Sequence, residues 1–258
     1  MHELAIIQDF RTARHDATKV VLEGFHALKH AARFSAAVEE VIVVDLQKTL
    51  QLAEQLAPDV ASIVRDRAVV VSNSTFKECF PQLPHHSKVA AIARRPNYRI
   101  GDLARMTPLV ALENPRAPGN LGASIRVAAA AGAAGLITIG GADLWEPASL
   151  RGSAGLHFAL PVLSLERFSK QDFNRQLYAC DPDGRSIEDV TVPANAILLF
   201  GTERQGISTG MLEAADERIS IPMEKDVSSL NLATSVAVML YVLRLKSSLY
   251  KQERLVHD

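Results

Sequence analysis

The chain has 258 residues and a mass of 28.0 kDa, enough for one large domain or two modest ones. Apolar residues make up 48% and charged residues 22%, a globular balance that excludes a disordered, collagen-like or low-complexity chain. The formal net charge of −1 neither demands nor forbids a nucleic-acid partner. The two cysteines, Cys79 and Cys180, form no CxxC pair, which argues against a cysteine zinc site or a disulfide framework and fits a reducing compartment.

The opening, Met1 to Phe10, lacks a basic stretch and carries Glu3 and Asp9, so it does not read as a secretory signal. The longest weakly polar run, Val127 to Ala142, is short of the ~20 residues of a membrane span. Gly132, Gly135 and Gly140 break it. The expectation is a cytoplasmic protein without a membrane segment. Charge is slightly asymmetric, +2 over residues 1–100 and −3 over 101–258, which marks the first part as the one to meet an anion.

Strands and helices alternate. Val20–Glu23 reads as a strand and Gly24–Phe34 as a helix. Val41–Val44 is a continuous apolar run, the mark of a buried parallel strand. A helix from about Thr49 to Ala57, ended by Pro58, precedes a strand at Ala68–Val71. Asn73 or Ser74 is expected to cap a short helix to Phe80, and Lys88–Ala93 is a further strand. The basic segment Arg94–Gly101 reads as a connector, with Arg94, Arg95 and Arg99 as candidate phosphate contacts and Tyr98 as a base-stacking group; a solvated linker is the alternative.

A second unit begins with the buried strand Leu109–Leu112. A loop to Asn120, a helix to about Ala131 and strands at Leu136–Ile139, Ala159–Leu163, Gln176–Ala179, Ala196–Phe200 and Arg218–Ile221 follow. The last helix spans about Leu230 to Tyr250. It is apolar nearly all round from Leu232 to Leu243, which calls for burial by its own domain or by a partner subunit. The pattern predicts an α/β fold with a mainly parallel sheet.

Three loops after apolar strands are candidate site segments, because ligands in open α/β sheets bind beyond the carboxyl ends of strands. In the first, Asn114 to Arg126, Gly119 and Gly122 permit tight backbone paths or close ligand approach, and Asn120 is placed to cap the helix. Arg126, in a helix otherwise of Ala, Val and Ile, needs an anionic partner, either a ligand or Glu113. The second, Leu198 to Ser208, holds Gly201, Glu203 and Gly206, with Ser208 as a possible cap. The third, Ile219 to Asn231, ends in Ser228, Ser229 and Asn231, each either a cap or a donor to a substrate. The neighbours His85 and His86 point to opposite faces of an extended segment, so no metal is expected.

In order, the blocks N-P-R-A-P-G-N-L-G-A-S-I-R, L-F-G-T-E-R-Q-G-I-S and I-P-M-E-K-D-V-S-S-L-N-L-A-T-S-V-A closely resemble the three motifs of the SpoU/TrmH branch of the SPOUT methyltransferases, over about residues 109–246. Lys19–Gly24 looks like the opening of the ribosomal-protein-like RNA-binding domain that many members carry. The resemblance implies a small N-terminal α/β RNA substrate-binding domain over 1–100. It implies a trefoil-knotted methyltransferase domain over 101–258, a homodimer, and S-adenosylmethionine as methyl donor to a ribose 2′-hydroxyl, of ribosomal RNA rather than transfer RNA. By position, Gly201, Ile221, Met223 and Leu230 would hold the cofactor, and Asn120, Arg126, Glu203, Ser229 and Asn231 match the polar active-site positions. The family scheme makes the arginine at 126 a general base. A guanidinium with pKa above about 12 is a poor base, so phosphate binding and alkoxide stabilisation fit it better. Glu203 would serve positioning, with Ser229 and Asn231 orienting ribose or loop. Val127 and the Ala-Ser-Ile before Arg126 depart from the usual pattern. The rival classes are a silent RNA-binding or ribosome-assembly factor and an RNA base methyltransferase.

Overall fold

The computed structural model describes residues 2–81, 88–202 and 204–256. The chain forms two compact units, Met1–Asn97 with Ala154–Ala159, and Tyr98–Ser153 with Leu160–Asp258.

In the first unit, α1 (His2–His15), α2 (Phe25–Arg33), α3 (Leu46–Leu56), α4 (Ala61–Arg67) and α5 (Asn73–Cys79) accompany β1 (Lys19–Glu23), β2 (Val38–Val43), β3 (Ala68–Val70) and β4 (Val89–Arg94). The sheet order is β1-β4-β2-β3, and β4 runs antiparallel to both of its neighbours. In β2 the apolar run Val41–Val43 is buried, and the strand pairs in parallel with β3. α1 lays Ile6, Ile7, Phe10 and Ala13 on one face at helical spacing, all buried. The Phe10 and Phe80 rings meet edge to face, with centroids 5.4 Å apart. The cap of α5 is Ser72, not Asn73 or Ser74: the Thr75 N–H donates to the Ser72 hydroxyl, which in turn donates to Glu3.

The second unit runs β5 (Leu109–Glu113), α6 (Pro118–Ala131), β6 (Gly135–Ile139), α7 (Pro147–Ser153), β7 (Val162–Leu165), β8 (Leu177–Ser186), β9 (Ile197–Phe200), α8 (Thr209–Ala214), β10 (Glu217–Ser220) and α9 (Leu232–Val256). Its six strands stand in the order β10-β8-β9-β5-β6-β7, with every pairing parallel. β5, β6 and β9 are buried throughout, which explains their unbroken apolar runs. Of the strand expected at Ala159–Leu163, Ala159 instead closes a short 3-10 turn, Leu156–Phe158, and the strand begins only at Val162. Gly122 is required by packing: a Cβ there would lie 2.1 Å from the Ser149 carbonyl oxygen of α7.

α9 is not buried all round. Leu232, Val236, Met239, Leu240 and Leu243 enter the core, while Tyr241 and Leu245 are exposed at 42% and 64%. The apolar sequence therefore covers one packed face and one open face.

Candidate functional site

At the carboxyl edge of the second sheet, three chain segments enclose a cavity of about 420 Å³. They are the loop after β9, the stretch after β10 and the approach to α9. Gly201, Ile221, Met223 and Leu230, the four expected cofactor positions, all line it, and so does Ser229. Ile219, Leu232 and Met239 supply further apolar wall, and Thr202, Ser220, Ser228 and Ser235 supply polar groups. This mix suits a small ligand with one flat apolar part and several hydrogen-bonding groups.

The β9 loop is folded back on itself. Thr202 N–H donates to the Gly206 carbonyl at 3.0 Å, Gly206 N–H returns to Thr202 at 3.1 Å, and Gln205 N–H reaches the Thr202 hydroxyl at 2.9 Å. A Cβ on Gly201 would fall 2.0 Å from the Gly206 carbonyl carbon, so the loop cannot close over any other residue. Gly206 takes φ of +67°, a region glycine enters without strain. Glu203 lies outside the described residues, as do His85 and His86.

Asn231 performs two jobs. Its Oδ1 accepts from Ala233 N–H at 3.0 Å, capping α9, and its Nδ2 donates to Asn120 Oδ1 at 3.0 Å. Asn120 is not the cap of α6. That place belongs to Ala117, with Pro118 at the first helical position, and Asn120 lies inside the first turn. Of the capping types before α9, Asn231 alone makes the cap, and Ser228 and Ser229 are exposed cavity-lining groups.

Arg126 is exposed on α6 and forms no ion pair with a described residue. Glu113, its candidate structural partner, is buried and accepts instead from Ser208. Ser208 stands at the N-cap of α8 without capping it, because its hydroxyl is turned to Glu113.

The basic connector is less free than its composition suggests. Arg94, in the first unit, pairs with Glu39 at 2.6 Å, and Arg95 donates to the Lys19 carbonyl. Glu39 also pairs with Lys19 at 2.9 Å, and the two cations hold its carboxyl below the usual carboxylate range. Arg99, in the second unit, is exposed, and its backbone N–H donates to Asp102. Tyr98 is half-buried against the second core, not a free stacking platform, and burial raises its phenol.

Sequence reasoning missed the segment after Ala179. Cys180, Asp181 and Pro182 also line the cavity, and burial pushes the Cys180 thiol far up. In sequence Asp181-Pro182-Asp183-Gly184 reads as a polar turn after an apolar strand, but in the structure it lies within β8, where the register with β10 shifts.

Residues 107–241 match the sequence profile of the SpoU rRNA Methylase family. The chain is 37% identical over 142 residues to an uncharacterised tRNA/rRNA methyltransferase of Synechocystis, covering 52% of this chain and 51% of that protein. It thus spans about half the length of that relative. It is 25% identical to the 23S rRNA (guanosine(2553)-2′-O)-methyltransferase of Bacillus subtilis, covering 87% of this chain and 88% of that protein. The fold superposes on the SpoU methyltransferase AviRb of Streptomyces viridochromogenes, solved with AdoMet, with a TM-score of 0.77. Identity there is 24%, over 95% of this chain and 98% of that one.

Proposed function

The chain belongs to the SpoU rRNA methylase family, and on that premise we propose that it transfers a methyl group from S-adenosylmethionine to a ribose 2′-hydroxyl of RNA. The observation that carries this reading is the cavity. Four positions separated by up to 29 residues in sequence, Gly201 to Leu230, converge on one space with apolar walls and backbone edges. The Gly201–Gly206 fold-back forms a cradle that a Cβ would fill, and the volume of about 420 Å³ is in the range of small-ligand sites. The residues fit the cofactor.

Bound there, S-adenosylmethionine supplies an electrophilic methyl group. Ile221, Met223 and Leu230 provide apolar contact, Gly201 gives access to backbone, and Ser229 orients the ribose or the loop it stands on. Asn231 holds Asn120 beside the start of α9, joining the first motif to the third. Glu203 serves positioning. Arg126, exposed and unpaired among the described residues, binds an RNA phosphate and stabilises the negative charge that develops on the 2′-oxygen as it takes the methyl group and its proton passes to water. A guanidinium gives up its own proton too reluctantly to serve as base.

The first unit is the RNA substrate-binding domain in this reading. Arg94 and Arg95 in that unit, and Arg99 in the second, contact RNA backbone. Ribosomal RNA is the favoured substrate, because the Bacillus subtilis relative that matches nearly the whole chain is named for 23S rRNA. The second unit carries a trefoil knot, and the protein works in the cytoplasm as a homodimer. The open face of α9 around Tyr241 and Leu245 supports the dimer. Among the described residues no helix is long and apolar enough to cross a membrane.

The test supplies purified protein with methyl-labelled S-adenosylmethionine and, separately, 23S rRNA and tRNA transcripts. Label in 23S rRNA alone is expected. Label in tRNA alone would change the substrate, and a protein that binds both RNA and cofactor yet transfers nothing to RNA or ribosomal subunits would be the silent binding factor.

A further inference from the structure

A buried carboxylate holds the cavity loop from behind. Glu113 ends β5 and is 6% exposed. Its Oε2 accepts from the Ser208 N–H at 2.8 Å and its Oε1 from the Ser208 hydroxyl at 2.6 Å, across 95 positions of sequence. Neither residue lines the cavity. Ser208 is the exit of the Gly201–Ile207 loop, whose entry is fixed by β9. Between the two ends, among the described residues, the loop bonds to itself through Thr202 and Gly206 and packs on the core through Ile207, which is 7% exposed. Two bonds to one residue fix both the place and the orientation of its backbone. Hydrogen bonds to a carboxylate are the strong kind, and a buried carboxylate deprived of its donors is costly, so the clamp favours one loop arrangement strongly over others.

We infer that Glu113 is a positioning residue for the cofactor. By clamping Ser208 it preforms the wall made by Gly201, Thr202, Gly206 and Ile207, and binding then does not have to order that wall. The inference rests on reading the cavity as the cofactor site.

The experiment titrates S-adenosylhomocysteine calorimetrically into wild type, Glu113→Gln, Ser208→Ala, Ser208→Thr and the Glu113→Gln/Ser208→Ala double variant, with a melting curve for each. Wild type binds. Glu113→Gln and Ser208→Ala each weaken affinity about tenfold, while Ser208→Thr, which keeps the hydroxyl, stays within about threefold. The double variant is no weaker than the weaker single, because both changes break one interaction. In turnover, KM for S-adenosylmethionine rises while kcat and KM for RNA hold, a split that a general loss of stability does not produce. If Ser208→Ala melts cooperatively and binds within about twofold of wild type, the inference is wrong, whatever happens to the folding of Glu113→Gln. If wild type itself does not bind, the cofactor reading of the cavity fails first.

Discussion

Asn231 Nδ2 donates to Asn120 Oδ1 at 3.0 Å, linking the first turn of α6 to the start of α9 across 111 positions of sequence. Asn231 Oδ1 meanwhile caps α9, so the two halves of one amide serve stability and site geometry separately. Asn231→Asp keeps the capping oxygen and replaces the donor with a second acceptor facing Asn120. Its melting temperature is expected within a few degrees of wild type, with turnover down at least about tenfold. Asn231→Ala loses both, and its melting curve falls by the equivalent of about 1 kcal/mol of lost cap. Equal turnover in Asn231→Asp and wild type would show that the cross-link is not used.

Arg126→Ala is expected to abolish transfer while S-adenosylhomocysteine binds within about twofold of wild type, since Arg126 lies outside the cavity lining. Calorimetry and a transfer assay on the same preparation check it. Near-normal turnover would remove the arginine from the chemistry.

The glycines divide by what surrounds them. Gly201→Ala sets a Cβ 2.0 Å from the Gly206 carbonyl carbon, so the loop must open and cofactor affinity is expected to fall more than about tenfold. Gly119→Ala meets no atom within 4 Å in the first turn of α6. Its melting temperature is expected to hold or rise slightly, by the equivalent of about 0.5 kcal/mol. Melting curves and cofactor titration of the two variants separate packing from ligand approach.

Glu39 gives a pH dependence of known sign. Its carboxyl is held low first by Arg94 and then by Lys19. A carboxyl whose folded pKa lies below its unfolded one stabilises the fold fully above the ordinary value of 4.5. That contribution is lost as pH falls through the lowered folded value. The difference in urea midpoint between wild type and Glu39→Gln is therefore expected at pH 7 and should vanish in strong acid. Reversing the charge of Arg94, Arg95 and Arg99 together should lower RNA affinity and flatten its dependence on salt. An unchanged slope would remove them from the RNA contact.

Much of the second unit was legible because its central strands β5, β6 and β9 are buried throughout and read as unbroken apolar runs, as at Leu109–Leu112 and Ile197–Phe200. Short helices such as Pro147–Ser153 and Thr209–Ala214 hold two turns at most, too few for periodicity to register. α1 was legible and overlooked, since Ile6, Phe10 and Ala13 keep helical spacing. Local caps misled where a tertiary partner took the side chain. Ser208 turns to Glu113 and Asn120 meets Asn231, and neither partner is within 90 residues in sequence. The motifs located the cavity, while the Cys180–Pro182 wall needed the sheet order that places β8 between β9 and β10.

The central claim is the chemistry, methyl transfer to a ribose oxygen, and alkaline digestion of labelled RNA tests it most directly. A 2′-O-methyl group removes the nucleophile that cleaves the adjacent phosphodiester, so the label should appear in alkali-resistant dinucleotides. Label released in mononucleotides would mean methylation of a base, and the account of Arg126 and the ribose hydroxyl would be wrong.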